Sequence, residues 1–201
     1  MHIHSEPFRA LTLSPRNKAI ARSLGFQDPR ALQSMVICKQ PRIGGAVPPH
    51  QDSTFLYTDP PSAVGFWYAL EDCNAENGCL GFAPGSHKRT PITRRFVRST
   101  KASGGTEFEE SAVGGKFPLD IEAEEISEER TGDESETYTL GEVKAGSLVL
   151  IHGNILHKSE RNASGKSRFI YTFHIIEGRH QYDERNWLQC SDRESGFAKL
   201  S

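Results

Sequence analysis

The sequence predicts an all-β fold on three observations: strand-like segments follow one another along most of the chain, turn residues separate nearly all of them, and helical periodicity is confined to one short stretch near the start. The strand-like segments cover residues 33–40, 50–57, 64–71, 79–83, 138–143, 147–152, 155–159 and 168–176. Pro48-Pro49, Asp59-Pro60-Pro61, Asn77-Gly78, Pro84-Gly85, Ala145-Gly146 and Ser164-Gly165 punctuate them. Proline removes a ladder donor and glycine supplies conformations other residues avoid, so these pairs end strands and turn the chain. Helix is expected only over residues 17–24. Many short strands with little helix between them predict a jelly roll or related double-stranded, cupin-like barrel, and 201 residues suffice for one such domain spanning 1–201.

The pattern breaks over residues 94–137, which are polar, glycine-spotted and too long for an ordinary connection. The approach to this stretch is basic, with Lys88, Arg89, Arg94, Arg95, Arg98 and Lys101, whereas residues 107–136 carry twelve acidic side chains against Lys116 and Arg130. Charge blocks of this kind are expected to form a mobile insert or a lid.

A formal net charge of −2 excludes any general pull towards nucleic acid or an anionic membrane, which leaves a small molecule as the expected partner. No apolar run approaches the roughly 18 residues that cross a bilayer, and the opening Met1-His2-Ile3-His4 lacks an apolar signal core. Cys38, Cys73, Cys79 and Cys190 form no CxxC pair. These features together predict a cytoplasmic protein with reduced thiols.

The chemistry gathers around Pro49-His50-Gln51-Asp52. On a strand, His50 and Asp52 share a face, roughly 6.5 Å apart, so both can reach one metal ion. A lone His-x-Asp is common, and a third ligand is needed. His157 supplies it best, because it lies in a late strand-like segment and an arginine, Arg168, follows across a turn. Two histidines and a carboxylate occupy one face of an octahedron and leave the other open, as an iron(II) oxygenase requires. His152 ends its strand with no cation at the corresponding distance. His174 shares a face with Arg168 but sits about 20 Å along that strand, as an expected filler of the barrel interior. His87 belongs to the turn Pro84-Gly85-Ser86-His87, and His2, His4 and His180 are expected at the surface. Antiparallel pairing across the turn Asn162-Ala163-Ser164-Gly165 would set Ser159 opposite Arg168, with His157 on the same side.

These motifs, with Phe66-Trp67-Tyr68-Ala69-Leu70-Glu71-Asp72, Glu76-Asn77-Gly78-Cys79-Leu80, Ile151-His152-Gly153 and His157-Lys158-Ser159, resemble the phytanoyl-CoA dioxygenase family over roughly residues 30–189. The resemblance implies a double-stranded β-helix binding iron(II) through His50, Asp52 and His157. It also implies 2-oxoglutarate as co-substrate, on Met35, His50, Gln51, Asp52, Trp67, Ser159 and Arg168. Family members carry a long further segment before the barrel, with a lysine that helps hold the co-substrate, and this sequence lacks it. The expected activity is a dioxygenase that couples decarboxylation of 2-oxoglutarate to succinate with hydroxylation of an unidentified small molecule, ascorbate serving as a reductant. The alternatives are a truncated or degenerate barrel that binds metal and 2-oxoglutarate without turnover, and a cupin-like enzyme without 2-oxoglutarate, against which Arg168 argues. No Gly-x-Ser-x-Gly elbow supports a serine hydrolase.

Overall fold

The structure is a computed structural model that describes residues 1–110, 136–190 and 196–200. Two short helices open the chain, α1 (Glu6–Thr12) and α2 (Pro15–Ser23). Ser14 caps α2 by accepting the Asn17 amide, and Pro15 sits in its first turn, where a missing N–H costs nothing. Eleven strands follow among the described residues: β1 (Pro29–Lys39), β2 (Val47–His50), β3 (Val64–Ala69), β4 (Leu80–Phe82), β5 (Arg94–Arg98), β6 (Thr106–Glu110), β7 (Thr139–Gly141), β8 (Leu148–His152), β9 (His157–Ser159), β10 (Arg168–Glu177) and β11 (Ala198–Lys199). A single helical turn, α3 (Ser86–Arg89), lies between β4 and β5.

The strands form a five-stranded sheet in the order β11-β1-β10-β3-β8 and a four-stranded sheet in the order β2-β9-β4-β7, with β5 and β6 as a separate hairpin. This is the expected double-stranded barrel. Its organising strand is β10, whose ten residues are almost all buried because both of its faces are covered. Tyr171, Phe173 and Ile175 point outward, where Phe66, Phe26 and Ala21 meet them and Phe8 and Ile20 of the helices close the layer. Phe66 stacks on Phe173 at 4.9 Å, and the Thr12 and Tyr171 hydroxyls share a hydrogen bond of 2.6 Å under α1. The alternate residues of β10 face the barrel interior, where Ile170 joins Trp67, Leu80 and Ile151. No described helix is long and apolar enough to cross a membrane.

Four expectations need correction. Residues 50–57 are not one strand: β2 ends at His50, and Asp52–Thr54 form a 3-10 turn in which the Phe55 and Leu56 amides both donate to the Asp52 carbonyl at 2.9 Å. Pro48 and Pro49 can donate nothing to the ladder, and the β2–β9 register shifts between Val47 and His50.

The start of the expected insert is ordered. β5 and β6 pair in register with Phe96 opposite Phe108, and Phe55 and Trp187 complete an aromatic cluster with ring centroids 5.0–5.9 Å apart. Residues 111–135, the bulk of the expected insert or lid, lie outside the described residues.

The pairing of Ser159 with Arg168 does not form, because β9 and β10 belong to opposite sheets. Ser159 pairs with Val47 and Leu80, and Arg168 pairs with Lys39. Asn162 shapes the crossing between them: its side-chain amide donates to the Lys39 and Lys166 carbonyls at 2.9 and 2.7 Å, and its oxygen accepts the Ser164 amide. Finally, α1 and β11 escaped the periodicity reading, being short and without a clear repeat.

Candidate metal and co-substrate site

His50 and His157 are register partners across β2 and β9, with ring centroids 4.2 Å apart. Asp52, in the turn that ends β2, brings Oδ1 to 3.5 Å from His50 Nε2 and 3.8 Å from His157 Nε2. One ligand atom from each of the three lies within 4.8 Å of the others. Each histidine Nδ1 sits beside a carbonyl two residues back, His50 on Pro48 at 2.9 Å and His157 on Ile155 at 3.1 Å. A carbonyl only accepts, so both Nδ1 atoms carry a proton, and in the neutral rings it is both Nε2 atoms, which lie towards Asp52 Oδ1, that are left to ligate a metal. Two neutral imidazole nitrogens and a carboxylate oxygen converging on one space form a donor set that fits a divalent transition metal.

The charges at Asp52 and His157 agree with that fit. Burial alone would raise the Asp52 carboxyl, but the neighbouring His174 and His157 and the hydrogen bonds from His174 and His50 hold it well below the usual carboxylate range. Burial lowers His157, which favours the neutral ring a metal needs. At His50 burial also lowers the value, but the Asp52 hydrogen bond and charge outweigh it and the net shift is upward.

The three residues open onto a cavity of about 510 Å³ whose walls include Met35, Trp67, Arg168, Thr172 and His174. Arg168 is only 2% exposed, yet among the described residues its guanidinium has no hydrogen-bond acceptor and no carboxylate. Its Cζ lies 5.7 Å from the Trp67 ring centroid, and burial lowers its proton affinity. Met35 and Trp67 flank Thr172 in register from β1 and β3.

Two sequence-derived residues stand elsewhere. Gln51 is buried with its amide donating to the Thr90 and Asn154 carbonyls at 3.0 and 2.7 Å, and it lines a neighbouring cleft beyond His50 and Phe55 rather than the cavity. Ser159 is buried beside the cavity, outside its lining, and its carbonyl accepts from Lys39 Nζ at 3.2 Å. His87 pairs with His152, ring centroids 5.0 Å apart, and lines neither space.

Sequence reasoning missed Thr172, whose hydroxyl is buried without a partner, and Lys39, a buried ammonium. Counting by two from Arg168 reaches Thr172 and would have found it. Lys39 closes β1 directly after the apolar run Met35-Val36-Ile37-Cys38, and nothing local marks it.

Comparison with known proteins agrees with the fold. The family model described as phytanoyl-CoA dioxygenase (PhyH) matches residues 1–170, and the chain belongs to that family. Phytanoyl-CoA dioxygenase domain-containing protein 1 of Rattus norvegicus is 45% identical over 192 residues, covering 94% of this chain and 60% of the relative. The Caenorhabditis elegans homolog of that protein is 42% identical, with 94% and 61% covered, and a phytanoyl-CoA dioxygenase of Arabidopsis thaliana is 39% identical, with 90% and 57% covered. The chain therefore spans about 60% of the length of these relatives. Among solved structures, the non-heme alpha ketoglutarate dependent epimerase SnoN superposes with a TM-score of 0.66 at 18% identity, over 99% of this chain and 75% of the other. EctD from S. alaskensis with 2-oxoglutarate and 5-hydroxyectoine gives 0.64 at 18%, over 93% and 58%. Both share the double-stranded β-helix.

Proposed function

We propose that this chain is the barrel of a non-haem iron(II), 2-oxoglutarate-dependent dioxygenase. The observation that carries the reading is Arg168, a buried guanidinium without an anionic partner in the same cavity as His50, Asp52 and His157. A buried cation is costly unless paired, so this pocket suits a ligand that brings its own negative charge. 2-Oxoglutarate has a carboxylate at one end for Arg168 and a 2-oxo acid at the other for a metal.

In this reading His50, Asp52 and His157 hold iron(II), and Arg168 forks onto the far carboxylate of the acid. Met35 and Trp67 line its carbon chain and exclude water. Gln51 and Ser159 contribute by fixing the turn after β2 and the end of β9. When bound, iron(II) with 2-oxoglutarate supplies oxidative decarboxylation to succinate coupled to hydroxylation of a second molecule. That substrate is a small molecule. All four cysteines carry free thiols, and the reading places the protein in the cytoplasm, where thiols stay reduced.

The test is succinate release: purified protein, iron(II), ascorbate, O₂ and 2-oxoglutarate, with and without candidate substrates. Succinate above a metal-free control supports the dioxygenase. A second reading, a barrel that binds both groups without turnover, draws on the chain spanning about 60% of its relatives, and metal and 2-oxoglutarate binding without succinate would favour it.

A further inference from the structure

His174 does more than fill the barrel. It lies on the inward face of β10, is 6% exposed, and brings Nε2 to 3.2 Å from Asp52 Oδ2, the carboxylate oxygen that is turned away from His50 and His157. Its other nitrogen, Nδ1, faces Gln33 Nε2 at 3.5 Å, and Gln33 is its register partner on β1, just after an irregularity between Ala31 and Gln33. An amide nitrogen only donates, so Nδ1 is the accepting nitrogen and Nε2 carries the proton given to Asp52. On the opposite side His174 pairs with Gly65 of β3, where an added Cβ would meet the ring at 3.3 Å. The irregularity in β1 supplies the amide, and the bare backbone at Gly65 supplies the room.

We infer that His174 is a positioning residue that holds Asp52 by Oδ2, so that the carboxylate offers a metal one oxygen, Oδ1, with Gln33 fixing the histidine tautomer. The inference rests on the metal-binding reading above. Its physical basis is coordination number. A carboxylate free to swing can chelate through both oxygens and take a position that a bidentate 2-oxo acid needs. A hydrogen bond to Oδ2 removes that option and orients the remaining lone pair. Outer partners of this kind typically change metal affinity 10–100-fold when removed.

Cobalt(II) is a suitable probe, because its visible absorption reports coordination number and its binding is read without turnover. The parent should bind one cobalt(II), and Asp52→Ala should not. His174→Leu, which keeps bulk but removes the donor, should bind cobalt(II) ~10–100-fold more weakly with an altered visible spectrum. His174→Gln, which keeps an N–H donor, should recover most of the affinity and the parent spectrum. Gly65→Ala, which crowds the ring without touching a ligand, should shift both in the direction of His174→Leu, and it carries the test if His174→Leu fails to fold. Cobalt affinity within twofold of the parent and an unchanged spectrum in folded His174→Leu, or in Gly65→Ala if that variant stands in for it, would overturn the inference alone. Failure of the parent to bind cobalt(II), or unchanged binding by Asp52→Ala, would overturn the metal reading and this inference with it.

Discussion

Lys39 and Arg168 are register partners on β1 and β10, two buried cations that make no ion pair among the described residues. The Lys39 ammonium donates instead to the Ser159 and Glu160 carbonyls, tying the end of β9 to β1. Arg168 thus brings to the cavity a positive charge that the described chain does not neutralise, and Lys39 adds a second behind the lining.

That arrangement has a signature in pH. Burial first, and then the Arg168 charge, push the Lys39 ammonium down from an ordinary 10.5 to about 8. The unfolded chain therefore binds more protons than the folded one between about pH 8 and 10.5, and stability contributed at this residue rises with pH across that window. Urea unfolding at several pH values should show parent stability gaining on that of Lys39→Met as pH rises from about 8 towards 10.5. Parallel curves for the two proteins would show that Lys39 keeps its ordinary proton affinity.

Arg168→Lys should weaken 2-oxoglutarate binding by ~1.5–3 kcal/mol, the range for hydrogen bonds to charged groups, because an ammonium cannot reproduce a planar fork. Metal affinity should be unchanged, since Arg168 makes no contact with the ligand triad. Calorimetric titration of both ligands separates these effects. Equal 2-oxoglutarate affinity in mutant and parent would remove Arg168 from the site.

Thr172 is 3% exposed with no partner for its hydroxyl, facing the cavity between Met35 and Trp67. An unpaired buried hydroxyl costs stability, so Thr172→Val should leave the ligand-free protein as stable as the parent or more stable by ~1 kcal/mol. Denaturant unfolding without ligand measures this. A loss of stability beyond experimental error would mean that the hydroxyl has a protein partner.

The β5–β6 hairpin braces the turn that carries Asp52 through Phe96, which meets Phe55 at 5.6 Å and Trp187 at 5.9 Å. Phe96 is half-buried, so Phe96→Ala should cost about 2 kcal/mol, less than truncation of a core phenylalanine. An unchanged unfolding midpoint would show that the hairpin does not brace the turn.

The sequence made most strands legible because inward and outward residues alternate with period two, and β10 shows how far this reaches: Arg168, Thr172 and His174 fall on one face by counting alone. His50, Asp52 and His157 do come together within 4.8 Å, though not for the reason the spacing suggested. Asp52 reaches the others from a turn, and a turn that follows two prolines is not distinguishable from a strand by pattern. The partner of Arg168 was illegible for a different reason. Pairing across a short turn presumes that both flanking strands share a sheet, whereas in this barrel the chain crosses at residues 160–167 and the true partner, Lys39, is over a hundred residues away in sequence. Phe96 and Phe108 were hidden among charges, since an alternation of Arg and Glu with single aromatics reads as solvated loop.

In the proposed function, one cavity takes iron(II) on His50, Asp52 and His157 and 2-oxoglutarate on Arg168. Anaerobic titration tests it most directly, with iron(II) added first and 2-oxoglutarate second, following the visible charge-transfer absorption of the iron-bound 2-oxo acid. The parent should bind one iron(II) and develop the band on adding 2-oxoglutarate, while Asp52→Ala, folded and β-rich, should do neither. Stoichiometric iron(II) binding and the same band in Asp52→Ala, or no band in an iron-loaded parent, would contradict the claim.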